Sequence, residues 1–169
     1  MKRSLGAKTL ICPTPAWIVG SYDKQGKPNG MTVAWGGICC SQPPCLAVSL
    51  RAATYTHGNL MERRAFTVSV PSQAQVKAAD YFGLVSGRDT DKFVTCNLTA
   101  VKAANVLAPV VDQCPIVYEC QVVHSNDVLP ERLAPGPAGM YADGQFHRVY
   151  YGKIVAALAE PNAASLLGS

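Results

Sequence analysis

Arg51, Thr54, Thr56, His57 and Asn59 stand together in "SLRAATYTHGNL", where an apolar run gives way to a helix-like segment. A helix N-terminus offers free backbone N–H groups and a favourable dipole to an anion. Arg51 can add a bidentate contact, and Thr and Asn side chains can bond phosphate oxygens without adding charge. The bland alternative is a capped surface helix with a solvated arginine. A second cluster, "SGRDTDKF", holds Ser86, Arg88, a cap at Asp89 and Lys92. It is again a turn entering a helix, and cations near a helix start are unfavourable unless an anion sits beside them. An ordinary solvated turn with Asp–Lys or Asp–Arg pairs is its alternative. Together the two clusters point to a phosphate site.

The stretch "NGMTVAWGGICCSQPP" raises a different chemistry. Its small residues Gly30, Thr32, Ala34, Gly36 and Gly37 keep one side of a strand low. A flat ligand could lie across that backbone, with Trp35 as a wall; a core hairpin with a buried Trp35 is the alternative. Cys39 and Cys40 make a poor redox pair, because strand neighbours point to opposite faces and no basic residue adjoins them. Seven cysteines, Cys12, Cys39, Cys40, Cys45, Cys96, Cys114 and Cys120, contain no C-x-x-C. They read as small buried hydrophobes in a reducing compartment, not as a disulfide framework or a zinc ribbon. His57, His124 and His147 form no zinc pattern, and no metal site is expected. His147, beside Phe146, Tyr150 and Tyr151, is a structural histidine by default and a ligand-edge donor in the sharper reading. No G-x-G-x-x-G or G-x-S-x-G occurs.

These residues need elements to position them. Strands are expected at 16–22, 30–35, 45–50, 65–70, 115–125 and 145–158, with a polar turn at 23–28 in which Gly26 takes positive φ. Gly152 marks a bulge. Helices are expected at 56–64 with Thr56 as N-cap, at 72–83 with a Ser72/Gln75 capping box and Gly83 as its end, and from Asp89. The Pro- and Gly-rich stretch 126–144 reads as a long functional loop. Short strands with hairpin-like links and few helices imply a mainly β fold, an antiparallel barrel with small peripheral helices.

The chain has 169 residues, 49% hydrophobic and 15% charged, with a net charge of +4. That suits a single domain over 1–169, and the low charge suggests that part of its surface is covered. No Lys/Arg stripe suits nucleic acid. Pro13 and Pro15 interrupt the N-terminal apolar stretch, so no signal peptide is expected, and no run spans a bilayer. The expected location is cytoplasmic.

The chain resembles the flavin reductase-like, FMN-binding split-barrel family, including its flavoredoxin branch. The likeness runs through "PTPAWIVGSYDKQGKPNGMTVAW", "SQPPCLAVSLR", "TYTHGNL", "FTVSVPS", "YFGLVSGRDTDKF" and "GQFHRVYYGKIV". It implies a homodimeric Greek-key split β-barrel with FMN at the dimer interface. It implies that the flavin ring lies on the strand carrying Asn29, Met31, Thr32, Val33, Ala34 and Trp35, largely through backbone. It assigns the phosphate to Arg51, Thr56, Asn59, Ser86, Arg88 and Lys92, and places His147 near the flavin. The implied activity is reduction of FMN by NADH or NADPH, with electrons passed to a second flavin, a metal complex or another acceptor. The flavin carries the chemistry and no catalytic side chain is required. The alternative is an FMN-holding electron carrier reduced by a partner protein. The unusual "PERLAPGPAG" of the 126–144 loop leaves substrate choice open.

Overall fold

The computed structural model describes residues 13–134, 141 and 143–167, together with 4, 6, 8, 9 and 11. The reading of Cys12, and the part of the expected long loop at 135–140 and 142, lie outside the described residues. Among the described residues nine strands form: β1 Trp17–Tyr22, β2 Pro28–Val33, β3 Gly36–Ser41, β4 Pro44–Arg51, β5 Ala65–Val70, β6 Ala100–Lys102, β7 Pro109–Val111, β8 Ile116–Asp127 and β9 His147–Ala159. The helices are α1 Tyr55–Arg63, α2 Val76–Leu84, α3 Lys92–Thr95 and α4 Ala163–Leu167. Seven strands make one antiparallel sheet in the order β2-β1-β5-β8-β9-β4-β3, and β6 pairs with β7. The mainly β expectation holds.

The β1–β2 turn follows from its residues. Asp23 Oδ1 accepts from the N–H groups of Gln25 and Lys27 at 2.9 and 2.8 Å, and Gly26 takes φ 81°. Val19, Val48, Leu50, Phe66, Val68 and Tyr150 fill the main core. Each such side chain, fully buried, contributes roughly 1.5–3 kcal/mol. A second core sets Phe82 of α2 edge-on to Phe93 of α3 at 5.2 Å, above Ile18. β5 is buried on both faces although its residues alternate. Ser69 Oγ accepts from Val111 N at 3.1 Å and Thr67 Oγ1 donates to the Pro109 carbonyl, so β7 satisfies the polar face.

Several local expectations change. The second strand ends at Val33 and not at 35; the chain turns at Ala34–Trp35 and resumes as β3, unforeseen in the sequence. Trp35 is 54% exposed, so it is no core tryptophan. The capping box of Ser72 and Gln75 forms, but over a short 3-10 turn that leads into α2, which runs one residue past Gly83. α3 is capped by Asp91, whose Oδ1 accepts from Phe93 and Val94 N–H, and not by Asp89. The β8–β9 register shifts twice: between Glu119 and Cys120, where Val155 of β9 is the extra residue, and between Val122 and His124, where Val123 of β8 is extra and Gly152, the partner of Val122, flanks the bulge. Gly152 is needed for room: a β-carbon there would stand 2.5 Å from the Phe66 ring.

Candidate functional site

β4 delivers Arg51 to the start of α1. Thr54 is the cap of that helix: its Oγ1 accepts from His57 N–H at 3.2 Å and donates to the Arg51 carbonyl at 2.9 Å. Thr56, the cap expected from the sequence, instead sits buried in the first turn, where its Oγ1 accepts from Asn29 Nδ2 at 2.9 Å. A residue already inside the helix cannot cap it, and its hydroxyl ties α1 to β2. The first turn carries no acidic residue, which leaves its dipole open to an anion.

Facing this corner is the turn after α2. Lys92 is 4% exposed, and its Nζ donates to the carbonyls of Phe82 and Val85, both at 3.1 Å. Burial pulls its pKa down to about 8. Arg88 donates to the Ala53 carbonyl at 2.9 Å and lies 5.2 Å over the Tyr55 ring. Tyr55 is fixed in turn by its hydroxyl, which donates to Asp23 Oδ2 at 2.8 Å. Burial pushes the Asp23 carboxyl up, but hydrogen bonds from Tyr55, Lys27 and Gln25 outweigh it and leave the pKa low. Ser86 Oγ accepts from Arg88 N–H and closes the turn.

Between these walls lies a cleft of about 320 Å3. Asn29, Met31, Arg51, Thr56, Ser86, Arg88 and Lys92, all expected from the sequence, line it. Among its described lining residues three cations oppose one carboxylate, Asp143. That carboxylate sits at the mouth, 2.7 Å from Arg51 Nη2, while Arg51 Nε donates to the Gln145 carbonyl at 3.3 Å. Inside, Asn29 Oδ1 is buried with no hydrogen-bond partner, although its amide nitrogen is satisfied. A buried unpaired acceptor costs about 1–3 kcal/mol unless a ligand or water supplies a donor.

The other expected residues are elsewhere. The low side of β2 is covered by α2: a β-carbon on Gly30 would stand 2.6 Å from the Phe82 ring, and Thr32 Oγ1 donates to the Ala79 carbonyl at 2.5 Å. At Gly30 and Thr32 the ledge is therefore a helix seat, Gly37 faces open space, and β2 turns Asn29 and Met31 towards the cleft. Val33 is in the main core. Ala34 and Trp35 lie outside the lining. Asn59 is buried, with Nδ2 donating to Ser21 Oγ at 3.0 Å, so it braces α1 against β1; it lines a neighbouring pocket that shares Tyr55 and Arg88 with the cleft. His147 is the strand partner of Arg51, but its Nδ1 lies 2.9 Å from the Tyr141 hydroxyl. Burial first, then the Arg51 charge, lowers its pKa and favours a neutral ring.

Sequence reasoning missed Tyr55, Gly87, Asp143 and Gln145 as lining residues. Tyr55 and Gly87 lie within the two quoted clusters, so only their roles were hidden. Asp143 comes from the end of the long loop, and Gln145 from the start of the expected last strand, which begins only at His147; neither carried a local mark of a site.

The family model described as "Flavin reductase like domain" matches residues 9–167. The structure is similar to flavoredoxin of Desulfovibrio vulgaris (Miyazaki F), with TM-score 0.83 and 42% identity, covering 96% of this chain and 78% of that one. It is also similar to flavoredoxin from Methanosarcina acetivorans, with TM-score 0.76 and 27% identity, covering 96% and 77%. An NADPH-flavin oxidoreductase of Streptomyces viridifaciens is 34% identical over 80 residues, 47% of this chain and 41% of that protein.

Proposed function

The chain belongs to the flavin reductase-like family, with its split-barrel fold, and from that premise we propose that residues 1–169 form one FMN-binding domain acting as an NAD(P)H-dependent flavin reductase. The observation that carries the reading is the cleft's chemistry. Arg51, Arg88 and the first turn of α1 suit a phosphate, and the unpartnered Asn29 Oδ1 suits a hydroxyl or N–H donor deeper in. Met31 and Phe82 supply apolar surface between them. FMN fits this donor set, having a dianionic end, a polyhydroxyl chain and a flat ring.

Bound FMN would supply the hydride-accepting centre, taking a hydride from NADH or NADPH. The side chains bind and orient. Lys92 keeps the end of α2 closed against the Ser86–Arg88 turn and adds charge, and Thr56 fixes the Asn29 amide. His147 stands behind Arg51 as a supporting residue. Thr32, Val33, Ala34 and Trp35 act, on this reading, through the shape of the β2–β3 backbone, and Asn59 through bracing α1. No side chain is assigned as general acid or base.

The cleft is at the small end of ligand pockets, which span about 300–1,000 Å3, and Leu84 on its rim is 85% exposed. Both features support a homodimer in which a second copy covers the outer part of the ligand. The electron acceptor is then a small molecule or a redox partner protein reaching the open side. Among the described residues no helix is long and apolar enough to cross a membrane. The cysteines among them are all free, which supports a reducing, cytoplasmic setting.

A second reading, an FMN-holding carrier reduced by another protein, is favoured by the 42% identity to a flavoredoxin. Anaerobic stopped-flow mixing of the FMN-loaded protein with NADH and NADPH separates the two. Rapid bleaching of the flavin absorbance by either nucleotide is expected of the reductase. Bleaching slower than any useful turnover would overturn it in favour of the carrier, and a protein that takes up no FMN would overturn both.

A further inference from the structure

The β3–β4 hairpin carries a thiol arrangement outside the cleft. Its register makes Cys40 and Cys45 Cα partners, one pair before the turn closed by Ser41 and Pro44. Residues directly opposite in an antiparallel pair have Cα atoms about 4.5–5.5 Å apart. Disulfides form at Cα separations of about 4.4–6.8 Å. The pairing therefore holds the two backbones within the range of a bridge, once Cys40 Sγ leaves the Gln42 carbonyl to which it donates. A Cys39–Cys40 bridge would join neighbours along one strand, whereas Cys40 and Cys45 lie across the hairpin.

We propose that Cys40 and Cys45 are a reversible dithiol–disulfide site, oxidised by exchange with a low-molecular-weight disulfide. Cys40 is exposed on the last strand of the sheet, so a soluble disulfide can reach it. Cys45 is only 6% exposed and serves as the resolving thiol. On its other side Cys45 pairs with Lys153 of β9, so the hairpin is held to the rest of the sheet through this residue. Cys39 is the extra residue where the register shifts between Ile38 and Cys40. Burial, then the neighbouring Cys45 and Cys40, raises its pKa, so it stays a thiol. Cys114 and Cys120 are buried with pKa values pushed up to about 12, which leaves them inert.

The exchange balances in two steps. The Cys40 thiolate attacks one sulfur of the small disulfide, forming a mixed disulfide and releasing one thiolate. Cys45 Sγ then attacks Cys40 Sγ, breaks the mixed bond and releases the second small thiol, which takes up the Cys45 proton. The protein loses two electrons and two protons, and the small disulfide becomes two thiols. The site is independent of FMN.

The test is thiol mapping of the reduced wild-type protein after equilibration with glutathione disulfide, acid quench and alkylation. The expected result is an intact mass lower by two hydrogens, two thiols lost to alkylation, and a peptide bridge joining Cys40 to Cys45. Reduced glutathione in excess should restore both thiols. Cys39→Ser should keep the bridge, and Cys40→Ser should lose it. Complete alkylation of all thiols would overturn the proposal. So would a bridge mapped to Cys39, or a mixed disulfide that stays on Cys40. If a variant fails to fold, the wild-type map alone decides.

Discussion

Asn29 Oδ1 lies 2.0 Å from the point where a β-carbon on residue 87 would stand, and Gly87 leaves that point empty. The amide is fixed from its other end by Thr56, so it cannot swing away without breaking that bond. The close approach joins β2 to the Ser86–Arg88 turn and sets the width of the cleft between them. Gly87→Ala should therefore cost about 1–3 kcal/mol, as for overpacking a filled site. A shift of the urea midpoint to lower denaturant checks this. An unchanged midpoint would show that the turn can move aside freely.

Lys92 gives a pH dependence with a definite sign. Its pKa of about 8 in the fold lies below the ordinary 10.5. Between these values the unfolded chain holds a proton that the folded chain has released, so this group makes the fold more stable as pH rises through that window. Phosphate binding runs the other way, because it favours the ammonium. FMN affinity should fall as pH rises above about 8, by up to about tenfold per pH unit for one linked proton. Riboflavin affinity should not follow it. Fluorescence titrations of both ligands between neutral and alkaline pH, on wild type and Lys92→Met, measure this. A wild-type slope that survives in Lys92→Met would assign the proton elsewhere.

Asp143 competes with a ligand anion for Arg51. Its carboxyl, held low by the Gln145 N–H and by Arg51, stays ionised at neutral pH. Asp143→Asn should leave Arg51 free and tighten FMN binding while riboflavin is unaffected. The gain should shrink with added salt, since both charges are solvent-exposed. Weaker FMN binding in Asp143→Asn would mean that the carboxylate orients Arg51 for the ligand.

What the sequence revealed depended on how local the cause was. The strand at Ala65–Val70 was legible to the residue, since β-branched and aromatic residues alternate there. The Ser72/Gln75 capping box was legible because two residues three positions apart carry it. β3 was hidden by its glycines, its exposed cysteines and its register shift, and β6 and β7 are too short to show a period. The cationic clusters were legible because caps and charges sit side by side in the chain. The bond from Asn59 to Ser21 was hidden because the two residues are 38 positions apart. The Arg51–Asp143 pair spans 92 residues and leaves no local mark. The face of β2 that meets the cleft was misjudged because α2, which covers the other face, follows some forty residues later.

The most direct measurement is the affinity of the flavin-free protein for FMN and for riboflavin, in wild type and in Arg51→Ala. Charge-assisted hydrogen bonds contribute about 1.5–3 kcal/mol each, so a phosphate held at this corner should favour FMN by on the order of 100-fold. Arg51→Ala should remove about tenfold or more of that preference and leave riboflavin binding unchanged. Equal affinity of the wild-type protein for the two ligands would contradict a phosphate site between α1 and the Ser86–Lys92 turn.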